Sequence, residues 1–161
     1  MKIISIDQSF TSCGIVVLED EVVAHAEKFT SDSNKDMFER AWDVSSHIVN
    51  LHKTHKADIV ALEGLAFNDI GNQTRNLAGL QYTIITRLRF VENVSTIIVA
   101  PTAVKRVATG SGRAKKDTLL DNLPENILQY FLSLGVKKTT GLRDLCDAYW
   151  IGIAASHQYV S

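Results

Sequence analysis

Four acidic side chains stand where an apolar core is expected to close. Asp7 ends the run KIISI, and Glu63 ends the run IVAL. Asp144 and Asp147 lie three apart in GLRDLCDAYWIGIAASH, whose later positions are almost all apolar. Residues three apart share a helical face, so the pair heads a stripe continued by Ala148, Ile151 and Ala155. Each acid has a plain alternative. Asp7 can cap a turn by accepting from the amides of Ser9 or Phe10, Glu63 can be an ordinary strand-end charge, and the two aspartates can favour the positive end of a helix dipole. Gathered at one pole, however, four carboxylates need a compensating cation. Hard oxygen donors of this kind suit Mg²⁺, with Mn²⁺ as a substitute, and both ions also bind phosphate.

The basic residues supply the complement. Between 101 and 116 the chain carries Lys105, Arg106, Arg113, Lys115 and Lys116 and no acid, so this window holds +5 in a protein of net charge −1. A basic strip on an otherwise acidic chain points to contact with a polyanion, a solvated loop being the plain alternative. Acids that hold divalent ions beside bases that hold a phosphodiester are the parts of in-line hydrolysis. Two ions roughly 3.5–4 Å apart can activate the water and steady the leaving oxygen.

These side chains need a scaffold to bring them together. Alternation and β-branched residues predict strands at 2–7, 14–19 and 22–29, the last two joined by a tight EDE turn. A helix is expected at 34–53, capped by Ser33, with Phe38, Ala41, Trp42, Ser45, Ile48 and Val49 on one face. ADIVALE reads as a fourth strand, 64–72 as a loop, and 73–91 as a helix with Leu77, Leu80, Ile84, Leu88 and Val91 in register. STIIVAP is a fifth strand, followed by a short helix that breaks at Gly110 and Gly112 into the basic loop. A helical stretch then runs to about 134, kinked near Pro124, and a last helix covers 142–157. The order predicts an α/β fold: a mixed five-stranded sheet, three antiparallel strands and then parallel ones, flanked by helices. A crossover helix should lay the fourth strand parallel to the first. Asp7 and Glu63 would then leave the same carboxyl edge, where α/β folds bind ligands.

Composition narrows the setting. A chain of 161 residues, 45% apolar, fits a single domain over 1–161. No apolar run is long enough for a membrane span and no signal peptide precedes the first strand, so a cytoplasmic protein without membrane contact is expected. Cys13 and Cys146 lie too far apart in the chain to suggest a disulfide framework. Five scattered histidines offer no metal pattern beyond His52 and His55, which flank lysines.

Four stretches, in order, resemble the RuvC family of Holliday-junction resolvases within the RNase H-like superfamily: SIDQSFTSCGIVV, IVALEGLAF, APTAVKRVATGSGRAKK and RDLCDAYWIGIAASH. The Asp-Gln-Ser of the first is similar to the phage-encoded branch, whose setting would be the host cytoplasm. The resemblance implies a structure-selective endodeoxyribonuclease with Asp7, Glu63, Asp144 and Asp147 as catalytic metal ligands and two Mg²⁺ ions per site. It sets Lys105, Lys115 and Lys116 against the DNA backbone, with Arg106 and Arg113 on the same strip. A homodimer through the helix at 73–91 is implied, Leu77, Leu80, Ile84 and Leu88 being divided between core and interface. Such a dimer suits paired nicks in a nearly two-fold four-way junction or other branched DNA. Phe67, shortly after the second acid, is an aromatic wedge or a packing residue. Three rivals stand beside this reading. An actin-like ATPase also places Asp, Thr and Gly on an opening hairpin but needs two domains. A junction-binding protein without catalysis would not need all four acids. A ribonuclease H acting on RNA–DNA hybrid fits the Gly-x-Gly-x-Ala-Lys-Lys segment poorly.

Overall fold

The central strands are apolar at nearly every position, which obliges the sheet to be covered on both faces. The computed structural model describes residues 1–65, 72–115 and 117–160, the side chains of 73 and 160 excepted. Strands β1 (Lys2–Asp7), β2 (Cys13–Glu19), β3 (Val22–Phe29), β4 (Ile59–Glu63) and β5 (Thr96–Val99) form one sheet in the order β3-β2-β1-β4-β5. The first three pair antiparallel, and β4 pairs parallel with both β1 and β5. This is the mixed sheet that the sequence predicts.

Period-two alternation sorts the side chains between two cores. Ile3, Val16, Leu18, Ile59 and Ala61 join one, which is completed by α3 (Pro101–Thr109), α4 (Thr118–Asp121), α5 (Glu125–Ser133) and α6 (Gly141–Val160). Ile4, Ile6, Ile15, Val17, Val60 and Leu62 join the other, beneath α1 (Met37–His55), α2 (Asn72–Thr86) and a π-helical turn at Arg87–Val91. Each fully buried Ile or Leu contributes about 1.5–3 kcal/mol before conformational entropy is set against it.

The local signals differ from expectation in instructive places. Helix α1 starts at Met37 because Asp36, not Ser33, is its cap. The Asp36 carboxylate accepts from the amides of Phe38 and Glu39 at 2.9 Å, and Glu39 accepts from the Asp36 amide at 3.1 Å. A cap of this kind is worth about 1 kcal/mol. The inward face is Ala41, Val44, Ser45, Ile48 and Val49, whereas Phe38 and Trp42, expected on it, are exposed. The Trp42 ring is covered instead by the Arg87 guanidinium, 4.0 Å from its centroid. Pro124 divides the predicted kinked stretch into α4 and α5, standing at the head of α5 with extended ψ. The EDE turn is tighter than a glycine-free sequence suggests, since Asp20 and Glu21 both adopt positive φ, 49° and 66°. That geometry matches the twist of the flanking strands.

Helix α6 carries two of the candidate acids, and a close crossing sets its path. At Gly152 a Cβ would stand 2.5 Å from Leu18 Cδ1 and 2.7 Å from Ser5 Oγ, so only glycine lets the helix lie this near β1 and β2. Buried Ser5 satisfies its hydroxyl by donating to the Val16 carbonyl at 3.2 Å. The Trp150 indole fastens α4 to α6 by donating to the Leu119 carbonyl at 3.0 Å.

Candidate active site

Register brings the first two acids together. Ile6 pairs with Leu62 across the parallel β1–β4 ladder, so Asp7 and Glu63 follow side by side at its end. Ile3, Ile59 and Ala61 face the α6 layer, and the two-residue period therefore aims Asp7 and Glu63 towards α6 as well. From α6 comes Asp147, a carboxylate only 7% exposed. Asp7, Glu63 and Asp147 line one cleft of about 380 Å³, together with Lys105 from α3. Leu65, Leu77, Pro101, Val104 and Leu119 give that cleft apolar walls.

Asp144 lies outside those walls. The Ser12 hydroxyl donates to its carboxylate, and its backbone carbonyl packs against Gly14. Gly14 is in turn the cross-strand partner of Asp7, so the β1–β2 hairpin ties the first turn of α6 to the end of β1. The turn after β1 takes its cap from Ser9, whose Oγ accepts from the amides of Thr11 and Ser12 at 3.2 and 3.3 Å. Cys13 is buried beside these acids. Burial pushes its thiol up to about 12, and the Asp7 and Asp144 carboxylates add to the effect. It is a protonated packing group, and Cys146 is likewise buried.

The donor chemistry fits a hard divalent cation: carboxylates from three separate elements enter one cleft, and one of them is nearly withdrawn from water. As the side chains stand, no group of three His, Cys, Asp or Glu among the described residues is arranged to hold a metal ion.

Two glutamines also reach this place, Gln8 from the Asp-Gln-Ser stretch and Gln81, which no motif singles out. Gln8 and Gln81 both donate Nε2 to the Glu63 carbonyl, at 3.0 and 2.8 Å. Gln8 lines the cleft, and its Oε1 is buried without a hydrogen-bond partner. The available signal is an amide at position 81 in a helical stripe otherwise made of leucine and isoleucine.

The basic strip begins in the cleft and continues over α3 and the loop after it. Lys105 is half-buried in the wall, while Arg106, Arg113 and Lys115 are exposed on α3 and the loop after it. Gly110 ends α3 at φ 79°. At Gly112 a Cβ would meet the Thr102 carbonyl at 3.0 Å, so the loop folds back onto the first turn of α3, near the cleft. Phe67 and Lys116 lie outside the described residues. The leucine stripe of α2 is assigned differently from expectation. Leu77 lines the cleft, and Leu80, Ile84 and Leu88 are at most 1% exposed, so these three belong to the core and not to an interface. The apolar side chains that α2 and the π-helical turn present outward are Tyr82, Phe90 and Val91.

Sheet order, strand directions and acids at a shared carboxyl edge define the RNase H-like fold. Within it the chain resembles the RuvC family over nearly its whole length. Crossover junction endodeoxyribonuclease RuvC of Mycobacterium sp. (strain KMS) is 23% identical over 158 residues, covering 95% of this chain and 81% of that relative. RuvC of Thermus thermophilus matches with a TM-score of 0.75 at 18% identity, over 99% of this chain and 96% of its own. The Fowlpox virus resolvase, solved in complex with substrate Holliday junction DNA, matches with a TM-score of 0.61 at 16% identity over 100% of both chains. No protein-family model matches the chain. Among the described residues no helix is long and apolar enough to cross a membrane.

Proposed function

We propose that this chain is a Mg²⁺-dependent endodeoxyribonuclease that resolves four-way DNA junctions by paired nicks, acting as a homodimer. The observation that carries the reading is the single cleft lined by Asp7, Glu63, Asp147 and Lys105. Its support is the likeness to proteins named as crossover junction endodeoxyribonucleases and to a resolvase solved with junction DNA.

Asp7, Glu63 and Asp147 would hold the metal, with Asp144 a further ligand after it exchanges its bond to Ser12. Two Mg²⁺ ions, or Mn²⁺ in their place, supply a polarised phosphorus and an activated water for in-line hydrolysis. The chain itself does the positioning. Lys105 holds a phosphate oxygen against the acids, and its charge offsets theirs once a phosphodiester enters. Arg106, Arg113 and Lys115 follow the strand as it leaves the cleft, contributing affinity without reading sequence. The apolar walls exclude bulk water, which strengthens each electrostatic interaction inside.

Incubation with a labelled immobile four-way junction, a fork mimic and plain duplex, each with and without Mg²⁺, tests the proposal. Symmetric nicks near the crossover of the junction, only with metal, are expected. Equal attack on the fork widens the substrate to branched DNA in general, and cleavage of none of the three contradicts the reading.

A further inference from the structure

We infer that Gln81 and Gln8 are positioning residues for Glu63, two amide donors that together fix the peptide at the end of β4; the inference rests on the nuclease reading of the cleft. The β1–β4 ladder stops at the Ile6–Leu62 pair, so the Glu63 carbonyl lies beyond the last ladder pairing with β1. Side-chain amides stand in there. Gln8 reaches across from the end of β1 at 3.0 Å and Gln81 reaches down from α2 at 2.8 Å, filling both lone pairs of one oxygen. On the other side of the same peptide unit, the Gly64 amide donates to the Val99 carbonyl at 2.8 Å. Three elements, β1, α2 and β5, thus grip the peptide from which the Glu63 side chain departs.

The composition of α2 shows that this grip is specific. Leu80 and Ile84 of α2 and Leu88 of the π-helical turn face the core, Leu77 lines the cleft, and position 81 lies on the same side four residues after Leu77. Leucine or methionine would satisfy packing there. Gln81 is 6% exposed and Gln8 is 8% exposed, so both amides have left water for this one acceptor. Groups that orient a metal-binding side chain are commonly worth 10–100-fold in metal affinity or activity.

The test compares the wild-type chain with Gln81→Met and Gln8→Met, which keep volume and lose the donor. Binding of Mn²⁺ alone is followed by calorimetry, junction affinity in EDTA by gel shift, and unfolding by thermal melt. Each single variant should weaken Mn²⁺ about 10-fold, and the double variant towards 100-fold. The melting temperature should stay within a few degrees and the EDTA gel shift should not move. Unchanged Mn²⁺ affinity in variants that fold overturns the inference, whether or not their melting temperature has dropped, because then the amides only hold the fold. If Gln81→Met does not fold, Gln8→Met carries the same comparison from the cleft side. A wild-type chain that binds Mn²⁺ yet leaves the junction whole refutes the nuclease reading and not the clamp. Variants that cleave the junction as fast as an active wild type refute the clamp and not the nuclease.

Discussion

Gly14 stands directly against the backbone of Asp144: a Cβ at position 14 would lie 2.2 Å from the Asp144 carbonyl oxygen and 2.4 Å from its carbon. Both neighbours are backbone, which cannot swing aside as a flexible side chain can. Gly14→Ala must therefore push the first turn of α6 away from β2, and Asp147 with it. Overpacking of this sort costs about 1–3 kcal/mol. Cleavage should fall by more than the modest loss of stability accounts for, since a misplacement near 1 Å can cost about 100-fold. Melting temperature and cleavage rate measured on the same preparation check this, and full activity in Gly14→Ala would show that the hairpin does not set the position of α6.

The exposed strip makes a prediction about salt. Arg113 and Lys115 lie on a loop that Gly112 folds back towards the cleft. Replacing both with alanine should weaken junction binding. The slope of log affinity against log salt should shrink by about 1 for each phosphate no longer neutralised. Binding isotherms at four or five salt concentrations read the slope directly. An unchanged slope would remove these residues from the DNA interface.

Much of this architecture was legible because it rests on short-range rules. The apolar runs that end in Asp7 and Glu63 gave strands, a connecting helix made those strands parallel, and alternation aimed both acids the same way. What sequence could not settle depends on partners distant in the chain. Leu80, Ile84 and Leu88 read equally well as core or interface, and only the sheet beneath α2 assigns them inward. Trp42 satisfied the helical period yet packs against Arg87, a residue of another element. The helix start moved to Asp36 because the Asp-x-x-Glu capping box outranks a serine three positions earlier. Asp144 shows the limit most clearly. Spacing put it on one face with Asp147, but its carboxylate accepts from the Ser12 hydroxyl of the β1–β2 turn and does not line the cleft.

With the leucines assigned to the core, the proposed dimer has to use the outward side chains. Tyr82, Phe90 and Val91 are 68%, 82% and 72% exposed on α2 and the π-helical turn, a concentration of apolar surface on one element pair. Tyr82→Lys with Phe90→Lys should leave the melting temperature of the isolated chain within about 2–4 °C. Sedimentation should then show a monomer where the wild type is a dimer. A double variant that stays dimeric places the interface elsewhere.

Acid stability should depend on a site far from the cleft. The Glu27 carboxyl is held down at about 2, chiefly by its hydrogen bond with His47 and also by that with His25, against the opposing effect of burial. A carboxyl depressed in the folded state stabilises fully above its unfolded value, and that contribution drains away as the pH falls from there through the folded value. Glu27 is partly exposed, so the contribution is discounted to about 1 kcal/mol. Glu27→Gln should melt lower than wild type at pH 7, and the gap should close between pH 4.5 and about 2. A gap that stays constant through that window would mean that the histidine bonds carry no charge-dependent stability.

Glu63→Gln isolates the proposed divalent-ion site of Asp7, Glu63 and Asp147, since the change removes charge and little volume. Junction affinity and cleavage should be measured on wild type and variant in parallel, with Mg²⁺ and with EDTA. Cleavage by the variant should fall at least 1,000-fold (roughly 4 kcal/mol of barrier), with junction affinity equal to wild type or tighter. Cleavage retained at the wild-type rate, or binding lost along with it, would contradict the site.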